Sequence, residues 1–531
     1  MEYKVINTDD YRQIMSEYHV GSLTAKAVSS MNYTPQEMAS FFHEKEYPVY
    51  CHESLEKIKQ ILEDALANNR KVFIYGDYDC DGICATTIMV KTLNKMGIEN
   101  GYYIPNRARE NYGLNCERVQ QASDRGYQIV MTVDNGVSAH EALRLAKELG
   151  MTRIVTDHHI ITDDVDCEVL CHPSLFDEDY RYLCGAGVAY LIADYLGLAD
   201  DSIKALAMLA TISDVMRLKY FNVKLVKQGL EVVNNHRYPN IDILGRDMKY
   251  PVTEREISFN IAPKVNTTGR LFDLCNPNNT VRFFLSEDIR TMTMLAGQIN
   301  ELNEKRKDLV TQQYQIIMND CDFSKPFIIY YNEALHEGLI GLIANKLLYE
   351  TNKPTVILTK SNGVLKGSGR SKSELNLMNL LSGYDYYETF GGHAKAFGIS
   401  LKPENLAEFE KYIDENYVPE EVATDCLEVD VSDLTRENLD ELFSYAPFGE
   451  GRRIPVLKVN CDRYLDFRSL STPDKLKWQL NDCMSVMKMN DSKGYGYYAG
   501  AEKLCFYGSL SAGIFNRRTN YTLWCDSVEI L

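Results

Sequence analysis

No apolar run in this 531-residue sequence approaches the ~18 residues of a membrane-spanning helix, so no membrane partner is expected. The start, Met1-Glu2-Tyr3-Lys4, lacks a basic segment followed by an apolar one, so no signal peptide is expected. There is no CxxC pair. Cys80/Cys84 and Cys167/Cys171 have wider spacing and no second matching pair, which argues against a zinc site. The fourteen cysteines are scattered, many in apolar runs of a large chain. That points to reduced thiols in the cytoplasm and not to a disulfide framework. Fixed-period repeats and low-complexity segments are missing too. Cations are the scarcer charge, 57 Lys+Arg against 75 Asp+Glu, for a net charge of −18. This argues against a sequence-independent coat on duplex nucleic acid. It leaves room for acidity concentrated at a cation site and for a locally basic channel on an acidic protein.

Hydrophobic content of 45% and charged content of 25% are those of a globular protein. The length exceeds one ordinary core, so two to four domains are expected. Residues 1–70 read as a helical lead, with apolar residues at helical spacing over 55–66. From 71 the pattern alternates. Strands are expected at 72–75, 102–104, 129–133 and 153–156, with helices near 83–96, 117–125 and 138–149. That predicts an α/β fold with a parallel, doubly wound sheet over 71–240.

Helices dominate from 185 to 235. A connector over 241–320 contains a long polar helix from about 288 to 317, of the kind that bridges domains. A second α/β domain is expected over 321–418, with strands near 327–331 and 354–358 and a helix near 339–350. The tail, 419–531, reads as a small β domain.

The densest signal is Asp77-Tyr78-Asp79-Cys80-Asp81-Gly82, directly after the apolar run Val72-Phe73-Ile74-Tyr75. Three like charges this close repel unless cations sit between them, and oxygen-rich acidic sites suit hard divalent metals. Three more clusters fall at strand ends or helix starts: Asp134 after Val130-Met131-Thr132-Val133, Asp157-His158-His159 after Arg153-Ile154-Val155-Thr156, and Asp214 after Ala210-Thr211-Ile212-Ser213. Taken singly, Asp134 reads more readily as a helix N-cap, Asp-His-His as a solvated turn, and Asp214 as a satisfied helix-end acid. In a parallel sheet the strand carboxyl ends share one edge, so the first three clusters should meet there. Together they supply enough carboxylates and imidazole for two divalent ions, Mn²⁺ or Mg²⁺, which can clamp the attacking and leaving oxygens of a phosphodiester.

In this order, GDYDCDG, the Asp134 motif, DHH and Asp214 resemble the four motifs of the DHH phosphoesterase superfamily. Further matches are similar to its RecJ branch, the 5′→3′ single-strand-specific DNA exonucleases. These are Ile104-Pro105-Asn106-Arg107 with Asn111-Tyr112-Gly113-Leu114, Cys184-Gly185-Ala186-Gly187, Asn266-Thr267-Thr268-Gly269-Arg270, His336-Glu337-Gly338-Leu339-Ile340-Gly341, Gly367-Ser368-Gly369-Arg370-Ser371, Gly391-Gly392-His393-Ala394 and Pro447-Phe448-Gly449-Glu450-Gly451.

The resemblance implies Asp79, Asp81, Asp134, His158 and Asp214 as metal ligands, with Asp134 bridging. It implies Asp77 and Asp157 as supporting acids and His159 facing the scissile phosphate. Arg107, Tyr112, Arg270, Arg370, Ser371 and His393 would bind phosphates near a 5′ end, the later ones on a DHHA1-like domain, and the tail would be OB-like. The implied activity is hydrolysis of single-stranded DNA to 5′-mononucleotides in recombination and repair. It would be carried out by a monomer, with a helicase and a single-stranded-DNA-binding protein as partners.

Two other functions compete. A DHH phosphodiesterase acting on short oligonucleotides or cyclic dinucleotides would usually lack the tail and the long helix. A non-catalytic replication scaffold would have lost several ligands. One departure stands out: many relatives carry His where this chain has Tyr75, which would leave the first ion's shell richer in water. In the tail, Tyr495, Tyr497 and Tyr498 could stack on bases or fill the core.

Overall fold

The computed structural model describes residues 2–106, 110, 113–372, 377–393, 395–419, 423–501, 503–515 and 518–531. Two units are distinguished. One holds residues 267–275 and 298–423; the other holds residues 3–266, 276–297 and 424–531.

The larger unit contains a five-stranded parallel sheet. Its spatial order is Asn100–Tyr103, Val72–Tyr75, Ile129–Val133, Thr152–Thr156, Val169–Cys171. Helices Cys80–Met96, Cys116–Asp124 and His140–Glu148 connect the first four strands in sequence. Val72–Tyr75 and Ile129–Val133 are buried along their whole length, as a strand covered on both faces must be. The chain leaves the Val72–Tyr75 strand toward one side of the sheet and passes back to the other. The strand order therefore reverses between Val72–Tyr75 and Ile129–Val133. Open α/β sheets bind ligands in the crevice beyond the strand ends at such a point. Helices Gly185–Tyr195, Asp201–Ser213 and Phe221–Asn234 follow.

The tail forms an eight-stranded mixed sheet around Trp478, Phe506, Tyr521 and Leu523, all fully buried. Its outermost member is not from the tail. Tyr3–Val5 pairs in parallel with Thr424–Asp430, and Tyr3 stacks on Tyr507 with ring centroids 4.1 Å apart. Leu23 and Ala27, from helix Ser22–Ser29, join the same core. The helical lead expected over 1–70 thus includes a strand, and part of it belongs to the tail's fold. The tail tyrosines divide: Tyr498 is core, while Tyr495 and Tyr497 are exposed.

The smaller unit has a five-stranded sheet in the order Tyr387–His393, Ala396–Leu401, Val364–Arg370, Thr355–Ser361, Ile328–Tyr331. Only the last pair is parallel. Ile340–Thr351 and Leu406–Asn416 are helices of this unit, and the long polar helix Ile289–Asp320 contributes residues 298–320 to it and 289–297 to the larger unit. The Gly-rich runs over 367–371 and 391–393 lie mostly inside strands. The reason is steric: the Phe397 ring covers Gly369 so closely that a Cβ there would collide with it.

No helix among the described residues is long and apolar enough to cross a membrane. All fourteen cysteines are free.

Candidate metal centre

Strand ends deliver most of the acids. Asp77 and Asp79 follow Val72–Tyr75, and Asp134 follows the adjacent Ile129–Val133. Asp157, His158 and His159 follow Thr152–Thr156, and Asp214 caps the C-terminus of helix Asp201–Ser213. Three overlapping groups result: Asp77, Asp79 and Asp134; Asp134, His158 and His159; Asp81, His158 and Asp214. Each group offers ligand atoms within 4.8 Å of one another. Asp134 and His158 each belong to two groups. His158 Nε2 lies 3.2 Å from Asp134 Oδ1, 3.6 Å from Asp81 Oδ2 and 3.7 Å from Asp214 Oδ2.

Local backbone chemistry fixes each acid. Asp79 is the N-cap of helix Cys80–Met96; its Oδ1 accepts from the Asp81 and Gly82 amides at 2.9 and 3.1 Å. That leaves its other oxygen for the cluster. Asp81, in the first turn, accepts 2.7 Å bonds from the Gly185 and Ala186 amides, so the N-terminus of helix Gly185–Tyr195 holds a buried carboxylate. Asp134 has φ 61°, a left-handed conformation that Asp tolerates better than most residues. It caps no helix, so the N-cap reading fails. A Cβ at Gly185 would lie 2.5 Å from the Asp134 Cβ, and one at Gly82 would lie 2.5 Å from the Asp77 carbonyl oxygen. Glycine at both positions lets the acids close up.

Asp157 stands behind the cluster, 1% exposed, which rules out the solvated turn. Its Oδ1 accepts from the His158 and His159 amides and from His159 Nδ1 at 2.7, 3.1 and 2.7 Å. Its Oδ2 accepts from the Val137 amide at 3.0 Å. Burial would raise its pKa, but the His159 bond and charge outweigh burial and lower it. His159 responds in kind. Burial opposes its charge, yet the hydrogen bond to Asp157 and that acid's charge lift its pKa to about 9. His158 moves the other way, because burial disfavours the imidazolium. A neutral imidazole is the form that ligates metal.

The acids themselves resist ionisation. Burial, then Asp81 and Asp79, push Asp134 and Asp214 well above the usual carboxylate range; burial and Asp81 raise Asp79. Buried and half-buried carboxylates raising one another, beside a neutral imidazole, form a donor set that divalent cations would relieve. The residues present therefore fit such ions.

The structure brings together Asp77, Asp79, Asp81, Asp134, His158, His159 and Asp214. Asp77, expected as a supporting acid, offers an oxygen inside the cluster itself. Tyr75 does not reach for the ligands but packs in the core with Phe73 and Val119. The sequence offers Asn266 only as part of a motif, and its role is not legible there. Its Oδ1 accepts from the Cys80 amide at 2.9 Å and its Nδ2 donates to Ser213 Oγ at 3.1 Å. It thereby ties the start of the Asp81 helix to the turn that carries Asp214. No residue spacing encodes that link. The Gly185 and Ala186 amides are likewise invisible in sequence, because a backbone donor leaves no side-chain signature.

In the smaller unit, Arg370 and His393 both pair with Ala396 across neighbouring strands, and the Ser371 amide donates to the Lys395 carbonyl at 3.1 Å. The register thus gathers Arg370, Ser371 and His393 at one end of this sheet. Arg370 Nη1 donates to Ser368 Oγ and the Gly369 carbonyl at 3.0 and 2.7 Å. Arg270 closes helix Ala262–Arg270, and its carbonyl sits where a Cβ on residue 338 would fall, so that position is glycine. Arg107 and Tyr112 lie outside the described residues.

A parallel sheet with acids at its switch point defines a metal-binding α/β protein, and the comparisons specify which. The family model "DHH family, N-terminal domain" matches residues 71–216, and "DHHA1 domain" matches residues 324–418. The chain is 30% identical over 466 residues to the single-stranded-DNA-specific exonuclease RecJ of Bacillus subtilis, covering 83% of this chain and 59% of that protein. Against the RecJ of Dickeya dadantii it is 31% identical over 388 residues, covering 66% and 67%. The chain thus spans less than two thirds of the Bacillus relative. Among solved structures, RecJ with Mn²⁺ from Thermus thermophilus superposes with a TM-score of 0.84 at 24% identity, over 100% of this chain and 78% of that one. A second RecJ bound to manganese gives 0.62 at 28% identity, over 70% and 97%. The chain belongs to the RecJ family, within the DHH proteins.

Proposed function

We propose that this protein is a divalent-metal-dependent exonuclease that hydrolyses single-stranded DNA from the 5′ end to 5′-mononucleotides. One observation carries the reading: Asp134 and His158 each belong to two ligand groups, as a pair of neighbouring ions would require. The names of the relatives supply the substrate.

In this reading Asp79, Asp81, Asp134, His158 and Asp214 hold two Mn²⁺ or Mg²⁺ ions, with Asp134 shared. Such ions supply a hydroxide-like nucleophile at neutral pH and offset the phosphate charge. Asp77 adds negative charge to the same pocket. Asp157 holds His159 by its Nδ1, which leaves Nε2 to donate to a phosphate oxygen. Arg270, Arg370, Ser371 and His393, with Arg107 and Tyr112, bind phosphate near the 5′ end; the Arg fork matches phosphate oxygens.

The expected setting is recombination and repair in the cytoplasm. A nuclease restricted to single strands needs duplex opened for it, so a helicase and a single-stranded-DNA-binding protein are the expected partners.

The test is digestion of 5′- and 3′-labelled single strands with EDTA and metal add-back. The 5′ label should appear at once as mononucleotide, only with Mn²⁺ or Mg²⁺ restored. Prompt release of the 3′ label, or release in EDTA, would overturn the reading.

A further inference from the structure

A cavity of about 310 Å³ lies in the larger unit, away from the metal-binding acids in sequence. Phe41 and Tyr47 line it from the segment that ends helix Pro35–Phe42 and continues past it. Lys224, Lys227 and Gln228 line it from helix Phe221–Asn234, and Arg452 from the turn between helix Arg436–Ser444 and strand Val456–Cys461. Positions 220, 224, 227, 228 and 231 all face it, as spacings of three and four on a helix allow.

Arg452 is the unusual member. It is 4% exposed. Its Nη2 donates to the Tyr445 carbonyl at 2.9 Å, and its guanidinium carbon sits 3.9 Å from the centre of the Phe41 ring. Its Nε is buried with no hydrogen-bond partner among the described residues. Tyr33 is the titratable neighbour that favours its charge, and burial still pulls its pKa down to about 10. No carboxylate of the described residues enters that balance. A buried guanidinium is normally paired, because an uncompensated one is costly. The same cavity holds a second orphan: Gln228 Oε1, buried and without a partner among the described residues.

The other cations are available in different degrees. Lys224 Nζ donates to the Tyr47 carbonyl at 2.9 Å. Lys227 pairs with Glu44 at 2.9 Å, but that Glu side chain is 88% exposed, so the pair is weak. Lys45 is engaged by Asp179. Three acids stand at the rim: Glu44 is tied to Lys227, Glu231 to Arg237, and Glu46 is exposed to solvent.

We propose that this cavity binds a phosphate-type oxyanion bearing a hydroxyl, either inorganic phosphate or a phosphate monoester, with Arg452 as its main anchor. The Arg fork fits phosphate oxygens, and a Lys ammonium adds a point charge. Gln228 Oε1 needs a donor, which the hydroxyl of hydrogen phosphate or of a singly protonated monoester supplies and a backbone phosphodiester lacks. The aromatic walls leave room for the organic part of a monoester.

The experiment is equilibrium dialysis of the full chain in EDTA at fixed ionic strength. Radiolabelled phosphate, dAMP and a short single strand without terminal phosphate serve as probes. Phosphate held at Arg270 or Arg370 would also be counted, so the readout is the loss of one equivalent in Arg452→Gln. Lys224→Gln, on the half-exposed wall, should keep the fold and weaken that same equivalent about tenfold. It decides the matter if Arg452→Gln does not fold. Tighter binding of dAMP than of phosphate would make the ligand a nucleotide, and the reverse would make it phosphate. Unchanged stoichiometry and affinity in Lys224→Gln would overturn the proposal. So would equal Arg452-dependent binding of the strand that lacks a terminal phosphate.

Discussion

At the scale of single residues, the centre depends on side chains that resist the state they must adopt. Asp134 sits in left-handed backbone, 1% exposed, among acids that raise its pKa. Asp134→Asn keeps the shape and removes the charge shared by the two proposed ions. We expect cleavage of single-stranded DNA to fall more than about 100-fold, beyond the usual loss on removing an outer-shell partner, with circular dichroism unchanged. Turnover near the wild-type rate in the folded variant would remove Asp134 from the mechanism.

Gly185 makes a second case, because an added methyl meets Asp134 head-on while its own amide holds Asp81. Gly185→Ala should cost about 1–3 kcal/mol by overpacking and weaken Mn²⁺ binding. Urea unfolding and calorimetric titration check the two effects separately. The acids and the Asp-His-His run were legible because side-chain chemistry is written in the sequence. The amides of Gly185 and Ala186, and the Asn266 tether, were not, because they act through backbone position.

At the scale of elements, the parallel strands and their helices were readable because buried strands print as continuous apolar runs. Short or glycine-rich strands were not. Val169–Cys171 has three residues, and the Val364–Arg370 strand carries Gly367 and Gly369 where β propensity is low. Its neighbours explain it: Ile399 covers Gly367 and Phe397 covers Gly369, each supplying the packing that glycine lacks. Tyr3–Val5 was equally hidden, since a three-residue strand pairs with a partner more than four hundred positions away. Its role is testable. Tyr3→Ala removes the stack on Tyr507, worth about 0.5–1.5 kcal/mol beyond the area buried. It should lower the stability of the tail sheet by about 1–3 kcal/mol in urea, with nuclease activity retained at low temperature. An unchanged midpoint would mean the Tyr3–Val5 strand is not part of the folded sheet in solution.

At the scale of the whole molecule, a chain of net charge −18 is proposed to hold a polyanion, so recognition must rest on placed cations and not on overall attraction. In the smaller unit, strand register gathers Arg370, Ser371 and His393. Metals clamp any phosphodiester and cannot tell one end from the other, so polarity must come from such a phosphate pocket. Arg370→Ala should therefore lower kcat/KM at least about tenfold on 5′-phosphorylated strands and much less on 5′-hydroxyl strands. An equal loss on both would move end recognition to Arg107 or Arg270.

The central claim is that one carboxylate, Asp134, joins two metal sites. Counting bound Mn²⁺ by electron paramagnetic resonance, in wild type and in Asp134→Asn, tests it most directly. The account predicts two ions per chain in wild type and at most one weakly held ion in the variant. A count that Asp134→Asn leaves unchanged would contradict it.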